Sequence, residues 1–209
     1  MDVSKNHQTE EDVRRITERA LGVGVLSSSP LTAGQCNALY DVRLEDGGRC
    51  VLKVAPSGDV RLRRGEAWLM KTEIFAMRLA ADLPGVPVPR VLFADDSRTV
   101  CSAPYFIMEY AEGHPAADDR KSWTPDEKDD WYRRFGAMIR RISAAESDRF
   151  GIAASGREFG TLSGFVGDLL EMILADLTDF GVETGADPRA VLARFPADED
   201  AFREVRVPR

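Results

Sequence analysis

Histidine and cysteine are scarce in this chain, positive charge is in deficit, and no long apolar run occurs. The 209 residues hold two histidines, His7 and His114, and three cysteines, Cys36, Cys50 and Cys101. The cysteines are widely spaced and odd in number, with no Cys-x-x-Cys pair and no Cys/His cluster. That pattern argues against a disulfide framework and against a zinc site. Lys and Arg number 28 against 35 Asp and Glu, a formal net charge of −7. Nucleic acid is therefore not an expected partner, because no basic footprint exists to neutralise phosphates. An acidic surface tolerates cationic ligands such as polyamines or aminosugars, although most acidic proteins use their charge only for solubility. Residues 1–7 have no apolar core and do not read as a signal peptide. The most apolar segment, 162–177, is interrupted by Asp168, Glu171 and Asp176 and cannot span a bilayer. The expected setting is a reducing cytoplasm, with no membrane partner.

What is present is ordinary for a soluble protein: 44% hydrophobic and 30% charged residues. This length suits one globular unit or two small lobes and can bury a real core. Residues 10–21 read as a helix, with Thr9 as cap, Glu10 and Glu11 at the positive end, and Val13, Ile16 and Ala20 on one face. Strands are expected over 24–33, 37–44 and 49–54, the last two joined by the turn Glu45-Asp46-Gly47-Gly48. A helix is expected over 65–81, its apolar side marked by Leu69, Ile74, Met77 and Ala81. Pro84, Pro87 and Pro89 stop it and impose an extended run. Strands follow at 90–94 and 105–110. Residues 114–122 read as a polar linker. Thr124, Pro125 and Glu127 then form a capping-box start for a helix striped by Trp131, Phe135, Met138, Ile139 and Ile142. Further helices are expected from Leu162 to near Gly181 and from Asp187-Pro188 through Phe195. Strands first and helices later give an α+β protein. No internal repeat occurs.

Four features could carry chemistry. The small-residue turn Gly34-Gln35-Cys36-Asn37-Ala38 could bring backbone N–H groups to phosphates, or be an ordinary hairpin turn. Lys53 interrupts the apolar run Val51-Leu52-Lys53-Val54, so it faces away from Leu52 and Val54. It is either a solvated lysine or a phosphate-binding ammonium that needs a carboxylate to hold it. Glu73 is the first candidate for that carboxylate and Glu66 the competitor, unless both are surface glutamates. Finally, Tyr105-Phe106-Ile107-Met108-Glu109-Tyr110-Ala111 is a strand running into a polar bend. Backbone groups of Glu109 and Ala111 there could meet an adenine edge between Met108 and Tyr110, and the same segment would serve equally as an interlobe linker.

The ordered set Leu31-x-x-Gly34-Gln35-x-Asn37-x-x-Tyr40-x-Val42, Val51-Leu52-Lys53, Glu66 and Glu73, Gly85-Val86-Pro87-Val88-Pro89-Arg90-Val91-Leu92, and Phe106-Ile107-Met108-Glu109 with Gly113 resembles the aminoglycoside phosphotransferase family. These are protein-kinase-like small-molecule kinases, and the resemblance runs over residues 28–151. It implies a nucleotide lobe over 1–112, with an antiparallel sheet, and the first helices of a helical lobe over 113–209. It also implies ATP as cosubstrate and a small-molecule alcohol as acceptor. Lys53 would hold the α- and β-phosphates, Glu73 would pair with Lys53, the turn at Gly34, Gln35, Cys36 and Asn37 would cover the phosphates, and Met108, Glu109 and Ala111 would form the hinge. Two positions depart from the family pattern: Ala38 stands where a hydroxyl residue is common, and Ser143 where a histidine is common.

Phosphoryl transfer also needs a base and magnesium ligands. In the family these lie on a His-x-Asp-x-x-x-x-Asn loop and a later aspartate. Neither His7 nor His114 begins such a loop, and Asp198-Glu199-Asp200 reads as a solvated stretch. The expectation is a chain that stops short of the catalytic loop: no catalytic residue, no metal ligand, and magnesium only if further sequence supplies its site. The apolar stripes carrying Phe135, Leu169 and Ile173 would then be exposed and prone to self-association. The rival expectation is a stand-alone, non-catalytic nucleotide-binding or regulatory protein. A structural or interaction protein without a ligand is the third.

Overall fold

The computed structural model describes residues 5–32, 36–113, 115–183, 185, 187–195, 202 and 205. The chain divides into two compact units, Met1–Arg61 with Ala76–Ile142, and Leu62–Phe75 with Ser143–Arg209. This division by contact differs from a lobe boundary at 112/113.

The first unit is built on a five-stranded antiparallel sheet. Its strands are β1 (Val25–Leu31), β2 (Ala38–Leu44), β3 (Arg49–Val54), β4 (Val91–Asp95) and β5 (Tyr105–Glu109), in the order β1-β2-β3-β5-β4. Period-2 patterning places Ala38, Tyr40, Val42 and Leu44 of β2 in the core, as it does Leu52 and Val54 of β3 and Tyr105 and Ile107 of β5. Helix α1 (Glu10–Leu21) supplies Val13 and Ile16 to the same cluster, and both are fully buried. Each such side chain contributes roughly 1.5–3 kcal/mol of burial. The β2–β3 turn closes through Gly47, whose φ of 87° is open to glycine at little cost.

Two capping boxes fix helix starts. The Thr9 hydroxyl accepts from the Asp12 amide while the Asp12 carboxylate accepts from the Thr9 amide. Thr124 and Glu127 repeat the exchange at α4, which follows the short helix α3 (Ala116–Asp119) and spans Pro125–Ile142. Thr124→Ala is expected to lower unfolding stability by about 1 kcal/mol, read from urea midpoints, because the Glu127 amide loses its acceptor.

None of the α4 side chains is fully buried. Phe135 is 41% exposed, although its ring stacks on Trp131 at 4.9 Å. A dye that fluoresces on apolar surface is expected to bind the folded chain. Dye binding equal to that of a well-packed control protein would contradict the exposure of this stripe.

The second unit holds α5 (Leu162–Asp179), α6 (Pro188–Arg194) and a two-strand ladder of β6 (Phe150–Gly151) and β7 (Glu158–Phe159). Ile173 of α5 is 55% exposed, whereas Leu169 is half-buried and so does not share the expected exposure. Arg64 ties the segment 62–68 to α5, donating to Asp176 and to Asp179 at 2.5 and 2.6 Å.

Several expectations need correction. The helix expected over 65–81 begins as a tight 3-10 turn, Arg64–Trp68, before α2 (Leu69–Ala81). The cause is local: the Glu66 carboxylate accepts from the Arg63 amide and guanidinium, while the Glu66 amide donates to the Arg63 carbonyl, and the two together hold the first turn. The least exposed stripe of α2 runs through Met70, Glu73, Ile74, Met77 and Ala80, leaving Leu69 and Ala81 exposed. The linker expected over 114–122 contains α3. The β6–β7 ladder was not expected, because two-residue strands carry no readable period. Gly34, Gln35, His114 and Asp198-Glu199-Asp200 lie outside the described residues.

Candidate functional site

Every side chain facing the α1 core leaves its strand neighbours on the opposite face of the sheet. The register there is explicit. Leu39 on β2, Lys53 on β3 and Phe106 on β5 are aligned, and so are Asp41, Val51 and Met108. Lys53 therefore faces away from Leu52 and Val54, as its place in the apolar run predicts. Its ammonium lies 5.7 Å from the centroid of the Phe106 ring, within cation–π range. Val51 and Phe106 are buried yet stand outside the α1-side cluster, so this second face has an apolar lining of its own.

That lining contains Met108, named above as an apolar wall, together with two residues that the sequence reading did not place in the site, Leu39 and Val51. Leu39, Val51 and Met108 flank Lys53 on one face and present a flat apolar strip. The signal was available in part: Val51 lies two residues before Lys53 and must share its face. Leu39 needed the β2–β3 register, which no local pattern supplies.

β5 runs into the bend at the end of this strip. The Glu109 amide donates to the Arg90 carbonyl at 3.0 Å, and the Arg90 amide and Nε return bonds to the Glu109 carboxylate. Of the two Glu109 backbone groups named for an adenine edge, the N–H is thus committed to Arg90, and only the carbonyl can serve. Ala111 is exposed beyond the strand end. The Arg90 guanidinium holds the Glu109 carboxyl below its usual range.

The remaining candidates are placed as follows. Cys36 is exposed and Asn37 half-buried in a bend that enters β2. Glu73 is half-buried on α2, in the stripe between Met70 and Met77. Its competitor Glu66 is engaged locally, at 3.0 and 2.5 Å from the Arg63 guanidinium, and its pKa is lowered by that bond. Among the described residues no group of three His, Cys, Asp or Glu side chains is placed to hold a metal ion. No helix among them is long and apolar enough to cross a membrane.

Asp41 and Arg49 sit on the same sheet face as Lys53. Arg49 Nε and Nη2 donate to the two Asp41 carboxylate oxygens at 2.9 and 2.8 Å, and the Asp41 side chain is only 13% exposed. Hydrogen bonding from Arg49 lowers the Asp41 pKa, against a smaller opposing effect of burial. A lowered folded value means that the pair's contribution is complete above the ordinary carboxylate range, at about pH 4. It is lost as pH falls through the folded value. Asp41→Asn is expected to flatten the acid limb of the melting-temperature profile below about pH 4 relative to wild type. Identical acid limbs would contradict this linkage.

The sequence profile of the phosphotransferase enzyme family (APH) matches residues 27–197. No curated protein matches the chain. Among solved structures, the fold is similar to that of a proposed fructosamine-3-kinase from Thermobifida fusca YX-ER1, with 21% identity and a TM-score of 0.59 over 90% of this chain and 61% of that one. It is also similar to a thermostable mutant of the aminoglycoside phosphotransferase APH(4)-Ia, solved as a ternary complex with AMP-PNP and hygromycin B. That match has 17% identity and a TM-score of 0.52 over 84% of this chain and 53% of the other. The chain thus spans about three fifths and one half of these two relatives. Such identities speak to the fold, which is that of the protein-kinase-like phosphotransferases. The family rests on the profile, which takes in nearly all of the sheet, the Lys53 strand, residues 108–111 and the helices after α1: this chain belongs to the phosphotransferase enzyme family.

Proposed function

We propose that this chain carries the ATP-binding part of a cytoplasmic small-molecule O-phosphotransferase whose acceptor is an alcohol. The observation that carries the reading is the sheet face opposite the α1 core, where Lys53 stands beside the apolar strip of Leu39, Val51 and Met108. Adenine lies against that strip in this reading, with its edge at the Glu109 carbonyl and the Ala111 amide. Lys53 binds the α- and β-phosphates, and the turn of Gly34, Gln35, Cys36 and Asn37 covers them. Glu73, rather than the Arg63-bound Glu66, pairs with Lys53 and holds its ammonium in place. Residues 1–112 act as the nucleotide lobe, and 113–209 as the first part of a helical lobe.

The 209 residues contain no His-x-Asp-x-x-x-x-Asn loop. Loss of a base alone costs about two to four orders of magnitude in rate. By itself this chain is therefore expected to bind ATP without measurable transfer. The second reading is a stand-alone, non-catalytic nucleotide-binding or regulatory protein. Magnesium would accompany the nucleotide, and the described residues offer no cluster to hold it independently.

The test is thermal. At ATP a hundredfold above its Kd, binding adds about 2.7 kcal/mol, a rise of roughly 5–10 °C for a chain of this size. An unchanged melting temperature at millimolar ATP would remove both readings. A rise together with ATP-dependent phosphorylation of added alcohols would remove the second.

A further inference from the structure

The Arg49 guanidinium is divided among three neighbours. Its Nε/Nη2 edge grips Asp41 of β2 at 2.9 and 2.8 Å. Its Nη1 donates to Glu112 at 3.0 Å. Its flat face lies over the Tyr110 ring, 3.4 Å from the centroid. Tyr110 and Glu112 are the residues on either side of Ala111, in a stretch that has already left β5. One side chain at the start of β3 thus clasps this stretch on both sides of a single residue, Ala111, and anchors it to β2. Exposed ion pairs contribute little singly. This one is different in kind, because one flat face and two in-plane sides of a planar group are used together and the Asp41 end is largely buried.

We propose that Arg49 is a positioning residue that holds the Ala111 amide in place and thereby sets selectivity for the nucleobase. The inference rests on the reading that adenine docks at Glu109 and Ala111. An acceptor carbonyl and a donor N–H, fixed in that order, suit the amino group and ring nitrogen of adenine. Guanine offers the opposite polarity at both positions, and a rigid stretch rejects it by leaving polar groups unpaired. A stretch released from Arg49 can turn its peptide units and accommodate either base. Lysine is no substitute, since a point charge on a flexible stem cannot occupy three directions at once.

The experiment measures Kd for ATP, GTP and tripolyphosphate with wild type, Arg49→Ala and Arg49→Lys, alongside melting temperatures. In both variants the preference for ATP over GTP is expected to fall by about tenfold, the scale of one net hydrogen bond. Tripolyphosphate affinity is expected to stay at the wild-type value. Arg49→Lys keeps the charge and guards against a variant that fails to fold. An unchanged ATP preference in the folded variants, whatever their melting temperature, overturns the role of Arg49 and leaves the hinge reading standing. Wild type that binds tripolyphosphate as tightly as ATP overturns the hinge reading itself, and the role of Arg49 falls with it.

Discussion

Lys53→Ala is expected to weaken ATP binding by about ten- to a hundredfold, the equivalent of one charge-assisted hydrogen bond of roughly 1.5–3 kcal/mol. Strand alternation turns Lys53 away from Leu52 and Val54, and the sheet register puts it beside Phe106, Leu39, Val51 and Met108. An ammonium on an apolar face is poorly hydrated, so an anion placed there interacts with it more strongly than in open water. Lys53→Arg is not expected to restore affinity, because the planar guanidinium differs in reach and shape from a compact ammonium. Titration calorimetry of wild type and both variants measures the effect. Equal affinity in Lys53→Ala and wild type would show that the phosphates are held elsewhere.

Leu52→Ala is expected to do the opposite. Leu52 is one residue away and fully buried on the α1 side, aligned with Tyr40 of β2 and Ile107 of β5. Truncation removes transfer free energy and leaves a cavity that the sheet cannot close, a loss of about 2–5 kcal/mol. That is a large fraction of the roughly 5–15 kcal/mol that stabilises a typical domain. The urea midpoint should drop sharply, while the molecules that remain folded keep wild-type affinity for ATP. Neighbouring residues would then separate cleanly, one acting on stability and the other on binding. A Leu52→Ala variant with a wild-type urea midpoint would contradict the placement of the core on the α1 side. A selective loss of ATP affinity in that variant would contradict the division of faces.

The separation shows which parts of the molecule were legible in the sequence. Ala38, Tyr40, Val42 and Leu44 announce β2 by alternation alone, and the structure buries all four. Thr124, Pro125 and Glu127 announce the start of α4 by chemistry confined to one turn. Lys53 declares its face because its two strand neighbours are apolar. Each of these signals is local, and each was readable.

What escaped depends on pairings between distant segments. Leu39 joins the Lys53 face only through the β2–β3 register. Arg49 meets Tyr110 and Glu112 across some sixty residues of sequence, and nothing in the string Gly48-Arg49-Cys50 marks it. Glu66 competes with Glu73 in the sequence as a partner for Lys53, yet its carboxylate accepts from the Arg63 amide and guanidinium and so caps the 3-10 turn. The segment at Ala116–Asp119 reads as linker in the sequence because a four-residue helix is too short to show a period. The family resemblance reached further than periodicity did, since it depends on the order of several weak motifs rather than on any one of them.

The central claim is that Lys53 receives the phosphates of ATP. An acyl-phosphate derivative of ATP tests it most directly, because it transfers its acyl group to a lysine amine lying against the bound phosphates. Mass spectrometry of the digested protein then locates the label. The account predicts acylation of Lys53 that is suppressed by excess ATP, with Lys5, Lys71, Lys121 and Lys128 labelled weakly and without competition. Labelling of another lysine that ATP suppresses, or labelling of Lys53 that ATP leaves unchanged, would contradict it.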